Sequence, residues 1–122
     1  MGSNTYLLLP LLLLGACKPA PDERHVLPGA DAAEGLRLAK AVGCGACHVL
    51  PGLDWPQGRA GPALGGFAKQ ALIAGKLPNR PEVLVPYIRD APALTPGTTM
   101  PAMPLSEEEA RHVAAYLYSL DD

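Results

Sequence analysis

The sequence predicts an all-α domain of three to four helices joined by long Pro/Gly loops, and three observations lead there. From position 31 onward apolar residues recur at helical rather than alternating spacing. Three segments that match a helix-opening capping box precede such runs: Asp31-x-x-Glu34, Asn79-x-x-Glu82 and Ser106-x-x-Glu109. No alternating stretch is long enough for a strand, and 14 Pro and 13 Gly interrupt the 122 residues.

That length permits one small domain, and small domains often need a staple beyond their own core. Aromatic side chains usually supply much of the buried area, yet here there are one Phe, one Trp and four Tyr. A large flat cofactor is one way to fill such a core. Ten Lys/Arg against twelve Asp/Glu give a net charge of -2, which speaks against nucleic-acid binding. Three Cys, an odd number, argue against a closed disulfide framework.

Residues 6–14 form an apolar run followed by small residues and Cys17. The run is too short to span the ~30 Å hydrocarbon core and reads as a signal-peptide apolar region. Leu14-Gly15-Ala16-Cys17 resembles a bacterial lipoprotein signal box. The resemblance implies a cleaved peptide over 1–16 and acylation of Cys17, although the segment before the apolar run carries no Lys or Arg. Residues 18–30 are Pro-rich and polar without an apolar period; 17–30 therefore reads as a lipidated Cys and a semi-extended tether, and 31–122 as the folded domain.

The Asp31 box opens a helix through Leu36, Leu38, Ala39 and Val42. A short helix is expected over 67–74, ended by Gly75. The Asn79 box opens a run through Leu84, Tyr87 and Ile88, in which Pro86 should kink the helix or shift its start. The Ser106 box opens the clearest helix, with Ala110, Val113, Ala114, Leu117 and Leu120 on one face.

Cys44-Gly45-Ala46-Cys47-His48 is the C-x-x-C-H attachment signature of a c-type haem. Two thiols two residues apart on a tight turn reach both vinyl groups of one porphyrin edge, and the adjoining His lies beneath the iron as proximal ligand. A thioredoxin-like pair needs a βαβ context that this sequence lacks. A zinc site needs a fourth ligand, for which only His25 and His112 remain among Cys and His outside the signal box. A Cys44–Cys47 disulfide explains neither His48 nor the thin core.

Residues 31–120 resemble a class I cytochrome c, and most closely the short bacterial cytochromes c and the cytochrome c domains attached to haem–copper oxidases. Besides the haem motif, Gly61-Pro62-Ala63-Leu64 is similar to the family's Gly-Pro-x-Leu loop. The segment 82–100 resembles E-x-L-x-x-Y-[LI] followed by P-G-T-x-M, with Tyr87, Ile88, Pro96, Gly97, Thr98 and Met100 at matching intervals. The segment 105–120 resembles the last helix with its A-Y-L signature. The resemblance implies a small cytochrome c fold wrapped around one haem c bound through Cys44 and Cys47. It also implies a Pro62 carbonyl that orients His48, Tyr87 and Thr98 at the haem, and a contact of Gly35 with Tyr116 between the first and last helices. The sequence departs from the family in the loop between His48 and Gly61, at Pro86, and at Tyr87, where bacterial relatives often carry Trp.

The sixth iron ligand decides between carrier and enzyme. Met100 and Met103 both stand in Met-Pro dipeptides within a Pro/Gly loop. Met100 is preferred on the family interval, with Met103 as the alternative and core packing as the ordinary use of either. Thr98 is placed to bond a haem propionate or the loop. His112 reads as a boundary residue on the flank of the last helix, and His25 as a solvated tether residue. Trp55 and Arg59 are weaker candidates for contacts near the haem.

These readings lead to an electron carrier that takes no small-molecule substrate, held by its lipid anchor on the periplasmic side of a bacterial membrane. It is expected to pass electrons between a quinol-oxidising complex or dehydrogenase and a terminal oxidase or reductase. Lys69, Lys76, Arg80 and Arg89 make the middle segment locally basic, either as a docking surface or as a solvated face. The alternatives are a fixed haem-relay subunit of a larger complex and a gas-binding or catalytic haem protein with a labile sixth ligand.

Overall fold

Asp31 starts the first helix: its side chain accepts a hydrogen bond from the Glu34 N–H at 2.7 Å, and α1 runs over Ala32–Ala41. The computed structural model describes residues 1–2 and 23–122. Residues 3–22, which hold most of the expected signal peptide, Cys17 and the first part of the expected tether, lie outside the described residues. Among the described residues no helix is long and apolar enough to cross a membrane.

The Asp31 capping box is only half made. The Glu34 carboxylate turns to the Arg37 guanidinium, and the Asp31 N–H donates instead to His112 Nδ1 at 2.8 Å. The Ser106 box is complete: Ser106 Oγ accepts from the Glu109 N–H at 3.1 Å, and the Glu109 carboxylate accepts from the Ser106 N–H at 2.8 Å. It opens α4, Glu107–Tyr118, whose Ala110, Val113, Ala114, Tyr116 and Leu117 are buried.

The Asn79 box does not form. Arg80 is the N-cap of α2, Pro81–Arg89, and makes no side-chain capping bond; Pro81 occupies the first turn, where its missing N–H costs nothing. Asn79 is buried instead, because its amide is used by the loop ahead of the helix. Pro86 lies inside α2 and leaves the Glu82 carbonyl without its usual helical donor. Leu84, Val85, Tyr87 and Ile88 are nonetheless buried, so packing carries the helix through the proline. Asp90 ends α2 and caps the short α3, Ala91–Leu94, by accepting from the Ala93 N–H.

The expected helix over 67–74 is replaced by a 3-10 turn at Phe67–Lys69 and a small hairpin of β1, Leu72–Ile73, and β2, Leu77–Pro78. The strands pair antiparallel with Leu72 opposite Pro78 and Ile73 opposite Leu77. Ala74 and Gly75 both take positive φ, 50° and 68°, which turns the chain back where a helix would have continued. The Phe67 and Gln70 carbonyls are held by the Asn79 amide.

The main helix–helix interface joins α1 to α4, and α2 packs against α4. Gly35 makes the first of these possible: a Cβ there would lie 1.9 Å from the His112 carbonyl oxygen and 2.8 Å from Tyr116 Cβ. The Gly35–Tyr116 contact implied by the resemblance is therefore present.

Residues 23–30 are not a free tether. Glu23–His25 forms a 3-10 turn, the half-buried His25 ring stacks on Tyr118, and Leu27 packs against the core. A polar, Pro-rich composition does not register this, because the docking rests on a few specific partners supplied by α4.

Candidate functional site

Val42 closes α1 by donating to the Leu38 carbonyl, and Gly43, at φ 83°, turns the chain into a 3-10 turn over Cys44–Ala46. The Cys47 and His48 N–H groups both donate to the Cys44 carbonyl, at 3.2 and 3.0 Å, so the C-x-x-C-H residues form one tight knot at the end of the helix. The following loop folds back over it: Gly58 N–H donates to the Gly45 carbonyl and Gly61 N–H to the Cys47 carbonyl, each at 2.8 Å.

That return brings Pro62 to the imidazole. His48 Nδ1 lies 2.7 Å from the Pro62 carbonyl oxygen. A carbonyl only accepts, so Nδ1 carries the proton and Nε2 keeps its lone pair. Gly61 admits the ring: a Cβ at that position would sit 2.4 Å from His48 Cε1. Cys47 is exposed and Cys44 half-buried, and burial pushes the Cys44 thiol above its ordinary pKa.

The two thiols, the imidazole, Gly61 and Pro62 line one cavity of about 320 Å³ that opens partly to solvent. Cys44, Cys47, His48, Pro62, Tyr87, Thr98, Met100 and Met103 line it together, drawn from segments far apart in sequence. Its remaining wall is largely aliphatic, with Leu50, Leu84, Ile88, Val113 and Leu117. Met100 and Met103 are both half-buried. Thr98 Oγ1 accepts from the Met100 N–H at 3.2 Å, so its hydroxyl is used by the loop. The Met103 N–H donates to the Arg89 carbonyl at 2.9 Å, and Arg89 Nε donates to the Leu105 carbonyl at 3.2 Å; these bonds tie the methionine loop to the end of α2.

The sequence model of the cytochrome c family matches residues 32–121. The chain belongs to the cytochrome c family. A relative in Alkalihalophilus pseudofirmus (strain ATCC BAA-2126 / JCM 17055 / OF4), named cytochrome c oxidase subunit 2, is 39% identical over 88 residues, which are 71% of this chain. The aligned part is 25% of that protein, so this chain corresponds to about a quarter of its relative's length.

This cytochrome binds haem c covalently through its paired cysteines, Cys44 and Cys47, and is an electron-transfer haem protein. The residues present fit that group. Two thiols stand on one turn beside an imidazole with its Nε2 lone pair available, two thioethers line the same space, and the walls are aliphatic. Imidazole and thioether are ligands suited to haem iron.

Two sequence candidates are not at the cavity. Trp55 is 81% exposed on the loop over the attachment turn, and Arg59 is exposed; neither lines the space. His112 is half-buried as expected of a boundary residue, but it is the acceptor for the Asp31 N–H. The wall of Phe67, Gln70, Ile73 and Ala74, built from the 3-10 turn and the hairpin, escapes the sequence reading because helical spacing masks it. Asn79 escapes for a related reason, since its match to a capping box conceals a buried structural amide.

Proposed function

We propose that this cytochrome is a one-electron carrier in which His48 and Met100 would hold the haem iron. The observation that carries the reading is the shared cavity lined by His48, with Nε2 available, and by Met100 and Met103; the family interval selects Met100 of the two. The bound haem supplies a ferric/ferrous couple. Pro62 fixes the tautomer and plane of His48, and Thr98 restrains the backbone at Met100. A thioether ligand favours the ferrous state and raises the potential, and the aliphatic walls act in the same direction by disfavouring added charge. With both His48 and Met100 holding the iron, no position would be left for oxygen, which suits a carrier rather than an oxygen-activating site.

In this reading the acylated Cys17 holds the protein on the periplasmic side of a bacterial membrane. Electrons arrive from a quinol-oxidising complex or a dehydrogenase and leave to a terminal oxidase or reductase. The relative named as an oxidase subunit supports the oxidase as acceptor. Lys69, Lys76 and Arg80 are exposed around the hairpin and offer a basic face to an acidic partner. The same relative favours a second reading, in which the chain is a fixed relay subunit of an oxidase complex. Purification from membranes separates the two, because partners at fixed stoichiometry mark the subunit.

The test of ligation is the visible spectrum of the reduced holoprotein with and without carbon monoxide. An unchanged spectrum in the parent and a carbon monoxide response in Met100→Ala, but not in Met103→Ala, are expected. A parent that responds to the gas has a labile sixth position, and a response confined to Met103→Ala moves the ligand to Met103.

A further inference from the structure

Residues 23–31 form a strap along the last helix. The His25 ring stacks on Tyr118 with centroids 4.1 Å apart and planes 8° from parallel. Arg111 Nη2 donates to the Pro28 carbonyl at 2.8 Å, and the Asp31 N–H donates to His112 Nδ1 at 2.8 Å. The strap is thus fastened at both ends and in the middle to positions on α4.

Tyr118 connects this outer layer to the inside. Its hydroxyl donates to Asn79 Oδ1 at 3.1 Å, and its ring lies tilted against Phe67 with centroids 6.1 Å apart. Asn79 is only 6% exposed, and its Nδ2 donates to the Phe67 carbonyl at 3.2 Å and to the Gln70 carbonyl at 2.9 Å. A side-chain amide has two N–H donors and one carbonyl. Here both donors grip the Phe67–Gln70 turn, and the tyrosine hydroxyl fixes which way the amide points. The Ala68 N–H adds a bond to the Leu120 carbonyl at 2.9 Å, attaching the same turn to the end of the chain.

Phe67 and Gln70 line the haem cavity, whereas His25, Tyr118 and Asn79 do not. A buried asparagine with both side-chain polar atoms engaged, sandwiched between a cavity wall and a stacked tyrosine, has a role beyond filling space. We propose that Asn79 and Tyr118 are positioning residues of the haem site and that the strap clamps them: His25 holds Tyr118, Tyr118 orients Asn79, and Asn79 keeps the Phe67–Gln70 turn closed over the cavity. The inference rests on the redox reading above. Its consequence is that the segment leading into the domain tunes the potential from outside the cavity. A closed wall excludes water and disfavours the more highly charged ferric state, so a loosened wall lowers the potential.

The experiment uses the full chain matured with haem, in four forms: parent, His25→Ala, Tyr118→Phe and the double variant. Tyr118→Phe keeps the ring under His25 and removes only the hydroxyl. The midpoint potential is read by redox titration, and hydrogen exchange is read at the Phe67–Gln70 amides. Each single variant is expected to lower the potential and to speed exchange at those amides while leaving the ligation spectrum unchanged. The double variant is expected to fall short of the summed effects, because both substitutions break one path. Parent values for His25→Ala in both readouts overturn the clamp, and so do effects that simply add. A parent whose reduced spectrum responds to carbon monoxide contradicts the ligation proposed above, while exchange at Phe67–Gln70 still decides the clamp.

Discussion

The His48 imidazole and the Pro62 carbonyl meet at 2.7 Å, fourteen residues apart in sequence, across a loop that returns over the attachment turn. The bond fixes the ring from its Nδ1 side, and Gly61 leaves the ring its space. Gly61→Ala places a methyl 2.4 Å from Cε1 and 2.7 Å from Nδ1 of a ring that cannot swing aside without losing Pro62. We expect a loss of about 1–3 kcal/mol from overpacking, together with a displaced ferrous spectrum. Denaturant unfolding of the holoprotein and its visible absorption check both; parent behaviour in both measurements contradicts the contact.

Gly35 presents a harder limit. The atom that a new Cβ meets at 1.9 Å is the His112 backbone oxygen, which no rotamer change can remove. Gly35→Ala must push α1 from α4 across the main helix interface, at or beyond the top of the ~1–3 kcal/mol range for overpacking. A denaturation midpoint within error of the parent excludes this account.

The N-caps at Asp31 and Ser106 make opposite predictions for their glutamates. Glu109 accepts the Ser106 N–H, whereas Glu34 gives its carboxylate to Arg37 and leaves the Asp31 N–H to His112. Ser106→Ala is expected to cost about 1 kcal/mol, and Glu109→Ala to weaken α4 measurably. Glu34→Ala is expected to leave the unfolding midpoint unchanged, since an exposed ion pair adds little. Equal effects of Glu34→Ala and Glu109→Ala would falsify the distinction.

Burial, aided by the Glu82 charge, pushes the Tyr118 phenol well above the ordinary tyrosine value. The folded chain therefore keeps this proton when the unfolded chain gives it up. The resulting stability is fully present below about pH 10, the ordinary phenol range, and is lost as pH rises above it. Tyr118→Phe should flatten the alkaline fall in stability without abolishing it, because burial also raises the Tyr116 phenol. Urea midpoints across the alkaline range read the slope, and an unaltered slope in Tyr118→Phe rejects the assignment.

Much of the site was legible because its chemistry is local. The haem-attachment pentapeptide and the Ser106 box each act over a few residues, the first as one tight turn and the second as two reciprocal bonds, while the Gly-Pro-x-Leu loop is legible only through the family resemblance. The Phe67 segment was misread because helical spacing of apolar residues does not exclude a turn and hairpin. Asn79 was misread because a capping box and a buried asparagine share the same letters. His25 was misread because a lone aromatic ring in a polar segment shows no period from which docking can be inferred.

The sequence by itself determined the haem chemistry, the helical class and the helix starts at Asp31 and Ser106, since these follow from residue type and short-range spacing. Only the tertiary structure decided that Asn79 faces inward, that His112 takes the bond expected of Glu34, and that Met100 and Met103 enter one cavity with His48. The physical reason is competition for partners. A side chain with several hydrogen-bonding options takes the one that leaves the fewest buried groups unpaired, and the folded chain brings partners from distant segments into that choice.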